Sequence, residues 1–126
     1  MTEITFDEFK KAEIRIGTIL SAEKVPDADK LIKLMIDLGF KKPEPSAQSA
    51  DGSGDVPDIR QILSGIAEHY PDPSVLVGKQ VPVLTNLPTR TIRGFESQGM
   101  VLYTVGEDFL TTVEPSREIP NGTPVQ

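Results

Sequence analysis

The stretch Glu13-Ile-Arg-Ile-Gly-Thr-Ile-Leu-Ser-Ala-Glu-Lys-Val25 decides the fold class that this sequence predicts. Its first half alternates at period two, with Ile14, Ile16 and Thr18 on one side and charged residues between them, as in a half-buried β-strand. Gly17 lies inside the strand, and a glycine at such a place indicates a bulge or a sharp bend. Small barrels curl a strand around a corner in this way, so we expect a long, bent first strand.

The segments on either side of this strand supply the other elements of a small barrel. Before it, Thr5 and Glu8 predict a capping box that opens a short helix ending near Ala12. After it, turn residues separate apolar runs of strand length. The predicted elements are a turn at 26–29, strands at 31–38 and 59–66, a single helical turn within 71–78, a fourth strand from Lys79, a fifth strand at 99–105 and an edge piece at 111–113.

These elements predict an all-β protein with an OB-fold, a five-stranded Greek-key barrel with a short N-terminal helix and a short helix between strands three and four. A sandwich would need more strands, and two domains would leave each half without a core. Residues 1–126 therefore form a single predicted domain. Residues 41–58 hold three Pro, two Gly and three Ser without periodicity, and we expect them to form a flexible inserted loop.

Composition excludes several classes of protein. The 126 residues include no Cys and one His, which leaves no disulfide framework and no ligand set for zinc, and we expect neither a metal nor a cofactor. The N-terminus lacks the basic and apolar regions of a secretion signal, and no run approaches the ~18 apolar residues that span a bilayer. We expect a cytoplasmic chain without a membrane partner.

No constellation in the sequence predicts catalysis. Ser64, His69 and Asp72 could be imagined as a triad, but no glycine-bracketed elbow surrounds the serine. Asp27 and Asp29 are explained by the preference of turns for Asp. Because a nucleotide-binding motif is also missing, we expect no catalytic residue and no enzyme activity.

One stretch has a surplus of positive charge although the formal net charge of the chain is −6. Residues 79–106 carry three basic side chains against one acidic side chain, a balance of +2. Arg offers a planar fork for phosphate, and neutral polar side chains bond sugar hydroxyls or base edges. On an OB barrel the loop between strands four and five borders the oligonucleotide face, although a solvated surface loop is the alternative that the residues leave open. The candidates in this loop are Arg90, Arg93, Asn86, Ser97 and Gln98.

Several motifs resemble those of the tRNA-binding domain family, which occurs free-standing in bacteria and fused to or paired with methionyl-tRNA synthetases. The resemblance covers nearly the whole chain and rests mainly on Glu13-Ile-Arg-Ile-Gly-Thr-Ile19, Pro26-Asp-Ala-Asp-Lys-Leu31, Arg60-Gln-Ile-Leu-Ser-Gly-Ile-Ala67 and Arg93-Gly-Phe-Glu-Ser-Gln-Gly-Met100. It implies a non-catalytic OB-fold that recognises tRNA by shape. The residues that match the family's RNA-binding motif are Asn86, Arg93, Ser97, Gln98 and Met100, to which we add Lys30, Lys33, Arg60 and Arg90.

The resemblance also implies partners. Members of the family act as homodimers or as accessory (beta) subunits of methionyl-tRNA synthetase, and we expect one of these assemblies here. Relatives of similar fold resemble secretion-type chaperones that bind unfolded peptides, and the acidic balance of this chain leaves that function open as an alternative. The candidates for a buried dimer surface are Phe6, Phe9, Val101 and Tyr103, although core packing explains them equally well.

Overall fold

The computed structural model describes residues 2–41 and 56–126 of the chain. Short β-strands dominate these residues, and one short helix precedes them. The elements are α1 (Phe6–Lys10), β1 (Ile14–Lys24), β2 (Ile32–Lys41), β3 (Val56–Ser64), a 3-10 turn (Pro73–Leu76), β4 (Gln80–Leu84), β5 (Arg90–Ile92), β6 (Phe95–Ser97), β7 (Met100–Val101), β8 (Tyr103–Val105), β9 (Leu110–Thr112) and β10 (Pro124–Val125).

The main sheet is antiparallel and has the strand order β3-β2-β1-β4-β7. Strands β1 to β3 form a meander, and β4 returns across the 3-10 turn to lie beside β1, which is the order of a Greek key. The sheet curls on itself, because β7 at one edge and β3 at the other contact each other. This arrangement confirms the predicted all-β OB-fold class and the short helix between the third and fourth strands.

The inner face of the curled sheet forms the core. In β2 every second side chain points inward, and Ile32, Leu34, Ile36 and Leu38 are fully buried. Inward side chains of β1, β3, β4 and β7 pack against them, and Leu76 of the 3-10 turn closes one end of the barrel. Alternation at period two therefore places one apolar face of each strand in a common core.

Strand β1 bends at a different residue from the one that the sequence indicated. Its register with β2 shifts between Ile19 and Ser21, which places the irregularity at Leu20. Gly17 instead pairs regularly with β4, and a Cβ atom on it would lie 2.6 Å from Cγ2 of Ile36. The glycine is therefore required by the close approach of β2, and the prediction of a bulge at Gly17 was wrong.

A hairpin lies within the segment that was predicted as a loop between two strands. Strands β5 and β6 form a two-stranded sheet of their own, with Ile92 paired to Phe95. The two residues between them, Arg93 and Gly94, have φ angles of 51° and 84°, which are those of a primed turn. The sequence Arg-Gly is a weaker hairpin signal than Asn-Gly, so short-range reasoning missed these strands.

The end of the chain divides one predicted strand and adds a further one. The single strand expected at 99–105 is divided into β7 and β8 at Leu102, whose backbone N–H donates to the carbonyl oxygen of Pro82. The Pro-rich tail contains β10, which pairs with the start of β1, and Thr123 accepts a hydrogen bond from the N–H of Ile16. Strands β7, β8 and β10 have only two or three residues each, so tertiary contacts determine where they form.

The barrel is closed by what we call the closing seam, the hydrogen bonds between residues 61–63 of β3 and residues 96–98. The N–H of Gln98 donates to the carbonyl oxygen of Gln61 at 2.8 Å. In return, the N–H of Gln61 donates to the side-chain Oε1 of Gln98 at 3.1 Å. A side chain thus replaces one backbone partner, so the two edges join without a regular ladder.

The short helix α1 has the predicted capping box. The N–H of Glu8 donates to Oγ1 of Thr5 at 3.1 Å, and the N–H of Thr5 donates to Oε1 of Glu8 at 3.2 Å. The helix buries none of its residues against the barrel, and Phe6 and Phe9 are 72% and 41% exposed. Its apolar side chains are therefore available to a surface outside this chain.

The predicted inserted loop at 41–58 falls mostly outside the described residues. At its edges the sheet extends further than expected, since Lys41 ends β2 and Val56 begins β3. Asp58, which was assigned to the loop, lies inside β3 and is buried.

We expect Gly17→Ala to destabilise the fold by roughly 1 to 3 kcal/mol, since the added methyl group would overlap buried atoms of β2. Urea unfolding would measure the change in the free energy of unfolding. Gly65→Ala is the matched control, because a Cβ atom there would meet its nearest described neighbour at 4.0 Å. Equal stability of the two variants would contradict the packing argument.

Candidate nucleic-acid interface

The hairpin formed by β5 and β6 is attached to one end of the barrel by a small apolar cluster. Ile92 and Phe95 pack against Val25, Ala28 and Leu63, which belong to the β1–β2 turn and to β3. The hairpin therefore leans over the turn between the first two strands. This brings together the two loops that border the oligonucleotide face of an OB-fold.

The hairpin carries two exposed guanidinium groups. Arg90 opens β5, and Arg93 occupies the turn. Both residues are exposed, and neither forms an ion pair within 4.0 Å among residues 2–41 and 56–126. Guanidinium groups in this state are available to an external phosphate.

Two of the proposed lysines lie near the hairpin. Lys30 is exposed in the β1–β2 turn. Lys33 in β2 has its Nζ atom 5.4 Å from the ring centroid of Phe95 and 3.7 Å from Oε2 of Glu23. Both lysines therefore add positive charge to the same end of the barrel, although a carboxylate already lies close to Lys33.

Ser97 and Gln98 take part in the closing seam. Ser97 is 5% exposed, and its Oγ accepts from the N–H of Leu63 at 3.0 Å. Gln98 is half-buried, and its side-chain Oε1 accepts a hydrogen bond from the N–H of Gln61. Their polar atoms are thus bonded within the protein, and the prediction that they contact RNA stays a prediction.

Asn86 and Met100 lie beside the C-terminal end of β4. The amide of Asn86 accepts from the N–H of Glu13 at 2.9 Å and donates to the carbonyl oxygen of Lys11, so it ties the segment after α1 to the end of β4. Met100 in β7 pairs with Leu84 and is 44% exposed. Both residues therefore lie near the end of β4, where Arg60 also bonds the carbonyl oxygen of Thr85.

Arg60 lies inside a buried ionic network, although the sequence suggested that it contacts RNA. Its Nε atom lies 3.0 Å from Oδ1 of Asp58, and Nη2 of Arg15 lies 3.0 Å from Oδ2 of the same carboxylate. Nη1 of Arg60 donates to the carbonyl oxygens of Thr85 at 2.6 Å and Gln98 at 3.2 Å. The guanidinium thus links β3 to the end of β4 and to the closing seam.

The carboxylate of Asp58 is the acid on which this network depends. Burial alone would raise the pKa of Asp58, but hydrogen bonds and charge from Arg60 and Arg15 outweigh it, and the pKa lies below its ordinary value. With 1% of the residue exposed, a single carboxylate neutralises two guanidinium groups inside the protein.

Sequence reasoning missed three residues that shape this region. Asp58 was assigned to the inserted loop and Arg15 to the polar face of the first strand, so neither was considered as part of a site. Gln61 was quoted only as part of the motif that begins at Arg60. An acid two residues before an arginine in a strand was the available signal, because alternation places both on one face.

The imagined triad does not assemble in the structure. The phenol of Tyr103 donates to Oγ of Ser64 at 2.9 Å, and both residues lie against the core. Burial raises the pKa of Tyr103 to about 12, although the bond to Ser64 acts in the opposite direction. Val101 is buried and Tyr103 packs against the core, so core packing accounts for both residues, and a dimer surface there stays a prediction.

The described part of the chain contains no group of three or more acidic or histidine side chains that could hold a metal ion. Over the same residues, no helix has the length and apolar character needed to cross a membrane.

Comparison with known proteins assigns the chain to a family. A family model described as "Putative tRNA binding domain" matches residues 14–124. The chain belongs to the tRNA-binding domain family. This confirms the resemblance read from the motifs of the sequence.

This tRNA-binding domain is 45% identical, over 97% of its length, to part of a methionine–tRNA ligase of Flavobacterium johnsoniae. The match covers 15% of that enzyme, so the domain spans only a small part of the curated relatives it matches. Its fold resembles that of a MetRS-related protein from Pyrococcus horikoshii, with 31% identity, a TM-score of 0.80 and full coverage of both chains. It also resembles the chaperone CsaA from Bacillus anthracis, with 28% identity, a TM-score of 0.75 and coverage of 99% and 100%.

We expect Asp58→Asn to lower the free energy of unfolding at pH 7 by roughly 2 to 4 kcal/mol, because it leaves two guanidinium groups without their buried partner. The folded pKa of Asp58 is depressed, so its contribution is present above about pH 4 and is lost as the pH falls through the folded value. Urea unfolding of parent and variant between pH 3 and 7 would therefore give a difference that shrinks in acid. A difference independent of pH would contradict this account.

Proposed function

We propose that this tRNA-binding domain binds tRNA by shape, through the end of the barrel that carries the β5–β6 hairpin. The observation that carries the proposal is the pair of exposed guanidinium groups at Arg90 and Arg93, which have no acidic partner among residues 2–41 and 56–126, on a hairpin docked to the β1–β2 turn. Membership of the family supplies the ligand class.

The local balance of charge makes this end the favoured one for an anion. The chain as a whole repels RNA because its net charge is −6. Phosphate contacts depend on Lys and Arg, and at ordinary salt only charges within about 8 to 10 Å act strongly. Arg90 and Arg93, with Lys30 and Lys33 at the same end of the barrel, can therefore attract a phosphate backbone. Three acidic side chains lie on the same turn and hairpin and reduce that attraction, namely Asp27, Asp29 and Glu96.

The proposed roles of the other residues follow from their surroundings. Met100 is exposed and offers an apolar contact to a sugar or base. Asn86, Ser97 and Gln98 keep the proposed role of bonding nucleotides, for which each has remaining lone pairs or N–H groups besides its internal bonds. Arg60 has a different proposed role, since its guanidinium is already used by Asp58, Thr85 and Gln98.

The proposed assembly is a homodimer or an accessory subunit of methionyl-tRNA synthetase, and the chain itself has no catalytic step. The relatives at 40% identity and above are methionine–tRNA ligases in which the matched region is a small part, which supports a link to that enzyme. A positive ATP–pyrophosphate exchange assay on the purified chain would contradict the absence of catalysis.

A chaperone that binds unfolded peptides is the second candidate function. It is favoured by the similarity to the chaperone CsaA from Bacillus anthracis over almost the whole of both chains and by the acidic balance of this chain. The two functions differ in their dependence on salt, because phosphate contacts release counterions and apolar peptide contacts do not.

We expect Arg93→Ala to weaken binding to all tRNAs alike, roughly 5- to 30-fold at low salt, because one phosphate contact is lost without any loss of sequence reading. The magnitude of the slope of log K against log salt should fall by about 1. Fluorescence anisotropy with bulk tRNA at several salt concentrations would measure both quantities.

Arg117→Ala is the matched control, since it removes the same charge from an exposed residue outside the hairpin. Equal affinity of Arg93→Ala and the parent would sink the proposed interface. Binding of unfolded peptide that tRNA does not displace would favour the chaperone instead.

For the homodimer, we expect light scattering to give twice the mass of one chain at micromolar concentration. Phe6→Ser should shift the mass toward one chain, because Phe6 is a 72% exposed apolar side chain on α1. Phe109→Ser, at a 56% exposed Phe on the β8–β9 hairpin, is the control and should leave the mass unchanged. A parent mass of one chain would contradict the dimer.

A further inference from the structure

The β5–β6 hairpin depends on the barrel for its position. It is a two-stranded sheet of three residues a strand, and such a hairpin is marginally stable by itself. Two sets of contacts attach it: the apolar cluster beneath Ile92 and Phe95, and the closing seam at its C-terminal end. The first fixes the hairpin against the barrel end, and the second fixes it along β3.

Gln61 takes part in three hydrogen bonds of the closing seam, more than any other described residue. Its carbonyl oxygen accepts from the N–H of Gln98 at 2.8 Å, and its N–H donates to Oε1 of Gln98 at 3.1 Å. Its own side chain reaches further, since Nε2 donates to the carbonyl oxygen of Glu96 at 2.9 Å. Glu96 lies in the middle of β6, opposite Thr91 of β5. The side chain of Gln61 thus holds the hairpin itself.

The place of Gln61 in the sheet explains why its side chain can reach β6. It pairs with Met35 of β2 and lies two residues before Leu63. Alternation therefore puts Gln61 and Leu63 on the same, outer face of β3. Leu63 supports the hairpin through its apolar side chain and through the bond from its N–H to Ser97. Gln61 adds a second contact to the hairpin, two residues earlier on the same face of β3.

We propose that Gln61 is a positioning residue for RNA binding, which holds the hairpin so that Arg90 and Arg93 present their guanidinium groups in one fixed geometry. The inference rests on the proposed function. Gln61 is only partly buried and lies outside the core cluster, so its side-chain bond contributes to the placement of the hairpin more than to the packing of the barrel.

A positioning role differs from a contact role in its salt dependence. A residue that contacts phosphate changes the number of counterions released, so its loss changes the slope of log K against log salt. A residue that orders the hairpin changes the fraction of molecules ready to bind, and the apparent Kd rises as that fraction falls. Loss of Gln61 should therefore weaken binding at every salt concentration by the same factor.

The test compares Gln61→Met with Gln80→Met. Methionine keeps the length of the side chain and removes its hydrogen bonds. Gln80 is the matched control because its amide also bonds backbone atoms of a distant segment, donating to the carbonyl oxygen of Ile119 at 2.7 Å and accepting from its N–H at 3.0 Å. That segment is outside the hairpin.

We expect Gln61→Met to weaken binding of bulk tRNA roughly 3- to 10-fold, the effect of one hydrogen bond, with an unchanged salt slope. Amide hydrogen exchange of the free protein should quicken in residues 91–96. Gln80→Met should lower Tm by a few degrees. It should leave the affinity for tRNA and the hydrogen exchange of the hairpin unchanged.

Each outcome decides the inference. If the parent binds no tRNA, the proposed function fails, whereas faster exchange of the hairpin in Gln61→Met would still support its positioning by Gln61. If the parent binds and Arg93→Ala weakens it but Gln61→Met does not, the positioning inference alone is overturned. A Gln61→Met variant that changes the salt slope, or that fails to fold while Gln80→Met folds, would also overturn it.

Discussion

The closing seam between β3 and residues 96–98 is the constraint on which the rest of this structure depends. A curled sheet of short strands must join its two edges, or backbone groups at both edges stay unpaired. Here the edges are too irregular for a ladder, and the amide of Gln98 supplies the missing acceptor to the N–H of Gln61. Because β6 continues directly into the seam, the position of the hairpin is a consequence of how the barrel closes.

The seam also accounts for the division of the arginines into two groups. Arg60 and Arg15 surround the buried carboxylate of Asp58, and Arg60 bonds backbone carbonyl oxygens on both sides of the seam. These two cations are tied to the fold, and the side chains of Arg15 and Arg60 are only 25% and 20% exposed. Arg90 and Arg93 project from the hairpin into solvent. The two exposed arginines are thus distinct from the two that Asp58 neutralises, although an acid, Glu96, also lies on the hairpin.

The fold by itself does not decide between the functions of its relatives. A MetRS-related protein and a chaperone both match the whole chain with TM-scores of 0.75 or more, so the barrel hosts different activities. In this chain the hairpin holds two exposed guanidinium groups that no acid pairs with among the described residues, and the amide of Gln61 bonds the backbone of β6. These cations support the proposed phosphate ligand.

Part of this was available from the sequence. The period-two runs fixed the first four strands to within a few residues, and Thr5 with Glu8 fixed the start of α1, because these signals depend only on residues close together in the chain. The motifs around Gly94 and Gly99 led to the correct family. The hairpin, the division of the fifth strand and β10 were missed, since such short strands exist only where a partner strand lies beside them.

The sequence by itself determined the fold class, the family and the residues that carry charge. Tertiary structure decided which of those charges are buried and paired within the described residues. Arg60 and Arg93 are the same residue type, but Arg60 follows an acid by two residues and Arg93 does not. Asp58 and Arg60 are neighbours on β3, but only the curled sheet buries that carboxylate and brings Arg15 of β1 to it. Arg93 lies in the turn of a hairpin, and no acid pairs with it among residues 2–41 and 56–126.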